Sequence, residues 1–70
     1  MALEKHVRLN GESRSFAAGA TLLDVVNALA LDPERVAIEL NRSIIKRERW
    51  SAAEFENGAE IEIVQFVGGG

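Results

Sequence analysis

Seventy residues bound this chain to one small domain, which at this size buries about 60 % of the surface its unfolded chain exposes. A hydrophobic fraction of 47 % and a charged fraction of 27 % are those of an ordinary globular protein, which excludes a disordered chain. Eleven acidic against eight basic residues give a formal charge of −3, the wrong sign for general nucleic-acid affinity. The longest apolar stretches, around Leu22–Leu31 and Ile61–Val67, are interrupted and too short to cross a bilayer. Met1-Ala2-Leu3-Glu4-Lys5 lacks the basic-then-apolar order of a signal peptide, so the cytoplasm is the expected location.

The absence of cysteine removes disulfide scaffolds, thiolate zinc sites and thiol nucleophiles. One histidine, no tyrosine and no Gly-x-Ser-x-Gly elbow leave little from which to build an active site, and no metal site is expected. The chain reads as something acted upon. With no staples, it must rely on regular, well-packed elements.

Lys5-His6-Val7-Arg8-Leu9 alternates polar and apolar, which predicts a half-buried strand with Val7 and Leu9 inward. Asn10-Gly11 favours positive φ at both central turn positions and predicts a tight hairpin. The return strand, Glu12 to Phe16, is polar apart from Phe16, as suits a sheet edge. After a loop at Ala17–Ala20, Thr21 is a good helix N-cap with Asp24 as its capping-box partner. Leu22, Val25, Val26 and Leu29 form one apolar stripe, and Asp32-Pro33 is expected to stop a helix of about ten residues. Such a helix is too short to stand alone and needs a sheet beneath its stripe.

Val36 to Asn41 alternates again, with Val36, Ile38 and Leu40 on one face. Asn41-Arg42-Ser43 reads as a turn, Ile44-Ile45 as a short strand, and Lys46 to Trp50 as a charged connection. Ser51 is expected to cap a single helical turn over Ala52–Phe55, and Asn57-Gly58 to turn the chain into a last strand, Glu60 to Val67. In that strand Ile61, Ile63 and Val67 would face the helix, while Val64 and Phe66 point the other way. Apolar residues on both faces suggest a central strand, or one whose outer face meets a partner. The order ββαβββ, with a right-handed crossover, has a β-grasp as its natural compact solution: an α+β fold with one main helix across a mixed sheet.

The strand runs straight into Gly68-Gly69-Gly70. Without Cβ atoms these residues thread where a side chain would clash, and three extended residues carry a carboxylate roughly 10 Å beyond a folded body. A frayed end competes with the reading that the Gly70 carboxylate is a reactive group on a slim arm. The expected organisation is therefore a β-grasp domain over 1–67 and a flexible glycine tail over 68–70.

Asn10-Gly11, Val36 to Asn41, Ile44-Ile45-x-Arg47-x-x-Trp50 and above all Glu62-Ile63-Val64-Gln65-Phe66-Val67-Gly68-Gly69-Gly70 resemble the ubiquitin-like sulfur carriers, specifically the ThiS type that serves thiazole formation in thiamine biosynthesis. The resemblance covers essentially the whole chain; Ala59 departs from the aspartate often found after the glycine of the last turn. It implies a protein co-substrate, not an enzyme. A ThiF-type adenylating enzyme would use ATP to convert the Gly70 carboxylate to an acyl adenylate, and a persulfide donor would turn it into a thiocarboxylate. That group would then deliver sulfur to a ThiG-type thiazole synthase. Gly68 and Gly69 would thread into partner active sites, and no cofactor would be stably bound. Val64, Phe66 and Val67 are the candidate docking residues, against a reading of Phe66 as simple packing under a loop.

Three other readings stay open: the small subunit of molybdopterin synthase, which uses the same terminal chemistry, a ubiquitin-like modifier joined to lysines, and an interaction module with an inert tail. His6 reads as a solvated outward residue, Trp50 as a lid over one end of the core, and Lys46, Arg47 and Arg49 as a solvated connection. Arg47 has a further reading as a contact for an acidic partner. No nucleic-acid or membrane partner is expected.

Overall fold

The computed structural model describes residues 3–66. Strands β1 (Glu4–Leu9) and β2 (Glu12–Ala17) form the expected hairpin, with Asn10 and Gly11 at φ of 52° and 84° in its turn. Helix α1 (Leu22–Ala28) follows, then β3 (Val36–Leu40), β4 (Ser43–Ile45) and β5 (Glu60–Gln65). The sheet order is β2-β1-β5-β3-β4, with β1 and β5 parallel and every other pairing antiparallel. The last strand in sequence thus lies in the middle, with one face on the core and its outer face open at Val64 and Phe66. The order is that of a mixed β-grasp sheet.

One face of the sheet carries the core. Val7 and Leu9 of β1, Val36 and Ile38 of β3, and Ile61 of β5 are buried together with Leu22, Val25 and Val26 of α1. Each such side chain contributes about 1.5–3 kcal/mol relative to leaving it in water. Trp50 closes one end, 2 % exposed, and its indole N–H donates to the Ile45 carbonyl at 2.8 Å. Phe16 meets Phe55 edge to face with ring centroids 5.9 Å apart, so the edge strand's one large apolar residue is anchored.

Three expected boundaries differ. The Thr21–Asp24 capping box is present, but α1 ends at Ala28, before the Asp32-Pro33 pair can act. Ala30 takes a left-handed φ of 57°, the Ala30 amide donates to Asn27 and the Leu31 amide to Val26, a Schellman close that satisfies the last carbonyls. Leu31 is thereby folded back against the core, so burial of that residue favours an early stop. Asp32-Pro33 instead opens a 3-10 turn over Pro33–Arg35, with the Asp32 carboxylate accepting from the Glu34 amide.

The helical turn expected over Ala52–Phe55 lies earlier. A 3-10 segment spans Arg47–Ala52 with Lys46 at its N-cap, and Phe55 sits beyond it as a buried coil residue. Wound this way, the connection turns the Trp50 indole into the core. Strand β5 also stops at Gln65 where Val67 was expected. No helix among the described residues is long and apolar enough to cross a membrane.

Candidate functional site

The candidate site is the far end of β5. Ile61 is buried and pairs across β3 with Leu40, and Ile63 pairs with Ile38 on the same inward face. The alternate residues face outward: Val64, opposite Ala37, is 57 % exposed, and Phe66 just past the strand is 55 % exposed. The expected outward direction of these two is therefore observed. Val67, Gly68, Gly69 and Gly70 lie outside the described residues.

Hydrogen bonds hold β5 from both sides up to this end. On the β1 side, the Arg8 and Asn10 amides donate to the carbonyls of Ala59 and Ile61. There β1 turns away, and the Asn10 side chain takes over: its Oδ1 accepts from the Ile63 amide at 2.8 Å and its Nδ2 donates to the Ile63 carbonyl at 3.3 Å. One side-chain amide extends the ladder by a residue, because it carries the same donor–acceptor pair as a peptide. On the β3 side, the Asn41 Oδ1 accepts from the Glu60 amide, and the Phe66 amide donates to the Arg35 carbonyl at 2.7 Å. Arg35 in turn lies 3.5 Å from the Asp32 carboxylate. Phe66 therefore leaves the sheet from a fixed point.

The remaining chemistry-bearing residues do not assemble. Nδ1 of His6 is 2.9 Å from the Ser15 hydroxyl on the exposed outer face, and no third side chain among the described residues hydrogen-bonds the ring. Among the described residues, no three histidine, aspartate or glutamate side chains come together as metal ligands would. Lys46, Arg47 and Arg49 are exposed, as expected.

Three features escaped the sequence reading. Lys5 is buried, its ammonium donating to the carbonyls of Ala20 at 2.9 Å and Phe55 at 2.7 Å and lying 3.9 Å from the Phe55 ring centroid. The parity that places Val7 and Leu9 inward also includes Lys5, so the signal was present. The Asn10 side chain's role in the sheet had only the turn as its signal. Ile44, read as a plain strand residue, is 72 % exposed.

Fold and strand end define a ubiquitin-like β-grasp domain whose central strand presents an apolar outer tip. A model of the ThiS family matches residues 7–70, and the chain belongs to that family. It is 35 % identical over 65 residues to the sulfur carrier protein ThiS of Bacillus subtilis, covering 91 % of this chain and 98 % of that one. It is also 38 % identical over 64 residues to a thiazole synthase of Magnetococcus marinus; the match takes in 91 % of this chain but only 20 % of that longer protein. The crystal structure of the thiamine biosynthesis protein ThiS from Geobacter metallireducens superposes with a TM-score of 0.79 at 28 % identity, over 93 % of this chain and 99 % of that one.

Proposed function

We propose that this chain is a sulfur carrier in thiamine biosynthesis, loaded at the carboxylate of Gly70 and discharged to a thiazole synthase. Family membership that runs through the glycine tail carries this reading. The names of its relatives support it: one is a sulfur carrier of the same length class, another a thiazole synthase that contains a segment like this chain. The family's sulfur carriers are small carrier proteins, and this chain is of their size.

The chemistry follows from the electronic poverty of a carboxylate, which has a delocalised charge and no good leaving group. A ThiF-type partner joins it to AMP from ATP and releases pyrophosphate. A persulfide sulfur attacks the acyl carbon and AMP departs, leaving an acyl disulfide. Cleavage of that S–S bond by a thiol, which is itself oxidised to a disulfide, frees the thiocarboxylate. Gly68 and Gly69 serve as the threading segment of a tail over 68–70, and Val64 and Phe66, with Val67, as the docking residues beside it. A molybdopterin synthase small subunit would share every step but the last, and the thiazole synthase relative favours thiamine.

The test is intact mass after incubation with a ThiF-type enzyme, ATP and a persulfide donor. The expected result is replacement of one oxygen by sulfur, confined to the C-terminal fragment and lost when Gly70 is deleted. The same spectrum establishes that the Gly70 carboxylate is free, as the proposal requires. Isopeptide-linked products would identify a modifier instead, and an unchanged mass beside a loaded control carrier would identify an inert tail.

A further inference from the structure

Away from the tail, the corner where β4 runs into the Arg47–Ala52 segment has the makings of a second contact surface. A shallow groove of about 410 Å³ is lined there by Ile44, Ile45, Lys46, Arg49, Ala52 and Ala53. Its lining combines the apolar Ile44, Ile45, Ala52 and Ala53 with two charged side chains, both cationic, and no carboxylate lines it. Ile44 beside it is the most exposed large hydrophobic residue among those described, at 72 %. In a chain of net charge −3, a groove carrying only positive charge is a local reversal of the whole.

Two observations separate this corner from an ordinary solvated connection. First, among the described residues neither Lys46 nor Arg49 lies in an ion pair; the one pair found there joins Arg35 to Asp32, elsewhere. Second, the groove is built rather than loose. The Trp50 indole, 2 % exposed, donates to the Ile45 carbonyl and so fixes strand and 3-10 segment to each other, while the Arg49 amide donates to the Lys46 carbonyl and closes the first turn of that segment. A rigid apolar anchor beside unneutralised charge needs little ordering on binding.

We infer that this groove docks an acidic segment of a protein partner, with one aliphatic or aromatic side chain seated over Ile44 and Ala53 and carboxylates reaching Lys46 and Arg49. The sign of the charge selects an acidic partner, and the apolar side chains beside it, the exposed Ile44 above all, select a polypeptide over a bare polyanion. The inference is independent of the tail and goes beyond the loading reaction.

The experiment titrates the isotope-labelled full chain with a short synthetic peptide in which one leucine is flanked on both sides by Glu-Asp, read by amide chemical shifts. The expected result is saturable shifts concentrated between Ile44 and Ala53, unchanged when Gly70 is deleted. The double variant Lys46→Glu, Arg49→Glu should weaken binding about tenfold or more, as should Ile44→Ser, each with the dispersed spectrum of the folded chain. These side chains are exposed, so the fold is expected to survive. The inference is overturned by shifts that do not saturate, or by equal binding of a peptide with serine in place of leucine. Equal or tighter binding of a single-stranded oligonucleotide of matched charge at the same residues would also overturn it, in favour of a general polyanion surface.

Discussion

The ammonium of Lys5 is held against Phe55 twice, through the ring face at 3.9 Å from its centroid and through the main-chain carbonyl at 2.7 Å. A third contact, to the Ala20 carbonyl, ties β1 to the loop before α1 and to the coil before β5. Burying this charge is tolerable because every direction in which it points is occupied by an acceptor or a π face. Lys5→Met keeps the volume but leaves two carbonyls without their donor. The expected loss is about 2–3 kcal/mol of unfolding free energy, measured by denaturant titration followed through Trp50. Unchanged stability would mean that those carbonyls find water instead.

Asn10 offers a sharper test, because donor and acceptor can be separated. Asn10→Asp keeps an oxygen to accept from the Ile63 amide but sets a second oxygen against the Ile63 carbonyl. Asn10→Ala removes both bonds and adds the strain of a left-handed residue at φ 52°. Hydrogen exchange at the Ile63 amide should remain slow in the aspartate variant and become about five- to tenfold faster in the alanine variant, for a bond worth about 1–1.5 kcal/mol. Equal exchange in all three proteins would show that the ladder is closed without the side chain.

Ala30 closes α1 in a conformation that a Cβ disfavours, at φ 57°. Ala30→Gly should therefore raise stability, by about 0.5–1 kcal/mol after allowing for the freer unfolded chain. Thermal unfolding reads this directly. A lower melting temperature would place the determinant of the helix end in the Leu31 contact alone.

Val64→Asp and Phe66→Ala separate docking from folding. Both residues are more than half exposed, so unfolding free energy should move by only about 0.5 kcal/mol. If these residues anchor the adenylating partner, the rate of sulfur loading at subsaturating partner should fall about tenfold or more, mainly through a raised KM. A loading rate that does not change would move the docking surface elsewhere on the domain.

Strand alternation and turn chemistry carried much of the fold through the parity of Val7 and Leu9 and the Asn10-Gly11 pair, whereas the two-faced pattern of Ile61 to Phe66 left open a central strand or an outer face for a partner; β5 is central and that outer face is exposed. What remained hidden was tertiary. Ala30 has no sequence signature of a helix end, since its strain is compensated only once Leu31 finds the core. The helical turn lies earlier than the capping preference of Ser51 predicts, and winding there buries the Trp50 ring. The tip of the site, Val64 and Phe66, was legible from period alone. The Asn10 amide was not, because a turn residue's side chain reveals its second partner only when strands are paired.

Placing the final strand in the centre of the sheet has a consequence for how the protein is made. Until Glu60–Gln65 emerge from the ribosome, β1 and β3 have no neighbour between them, and the sheet is two hairpins without a seam. The β1–β5 pairings, Arg8 with Glu60 and Leu9 with Ile61, span most of the chain, so they form late and cannot be completed on a nascent fragment. A chain whose synthesis is broken off before Ile61 then lacks the seam along with everything downstream of it. Unfolded, such a fragment is open to proteolysis and does not compete with intact copies for partners that read the folded surface.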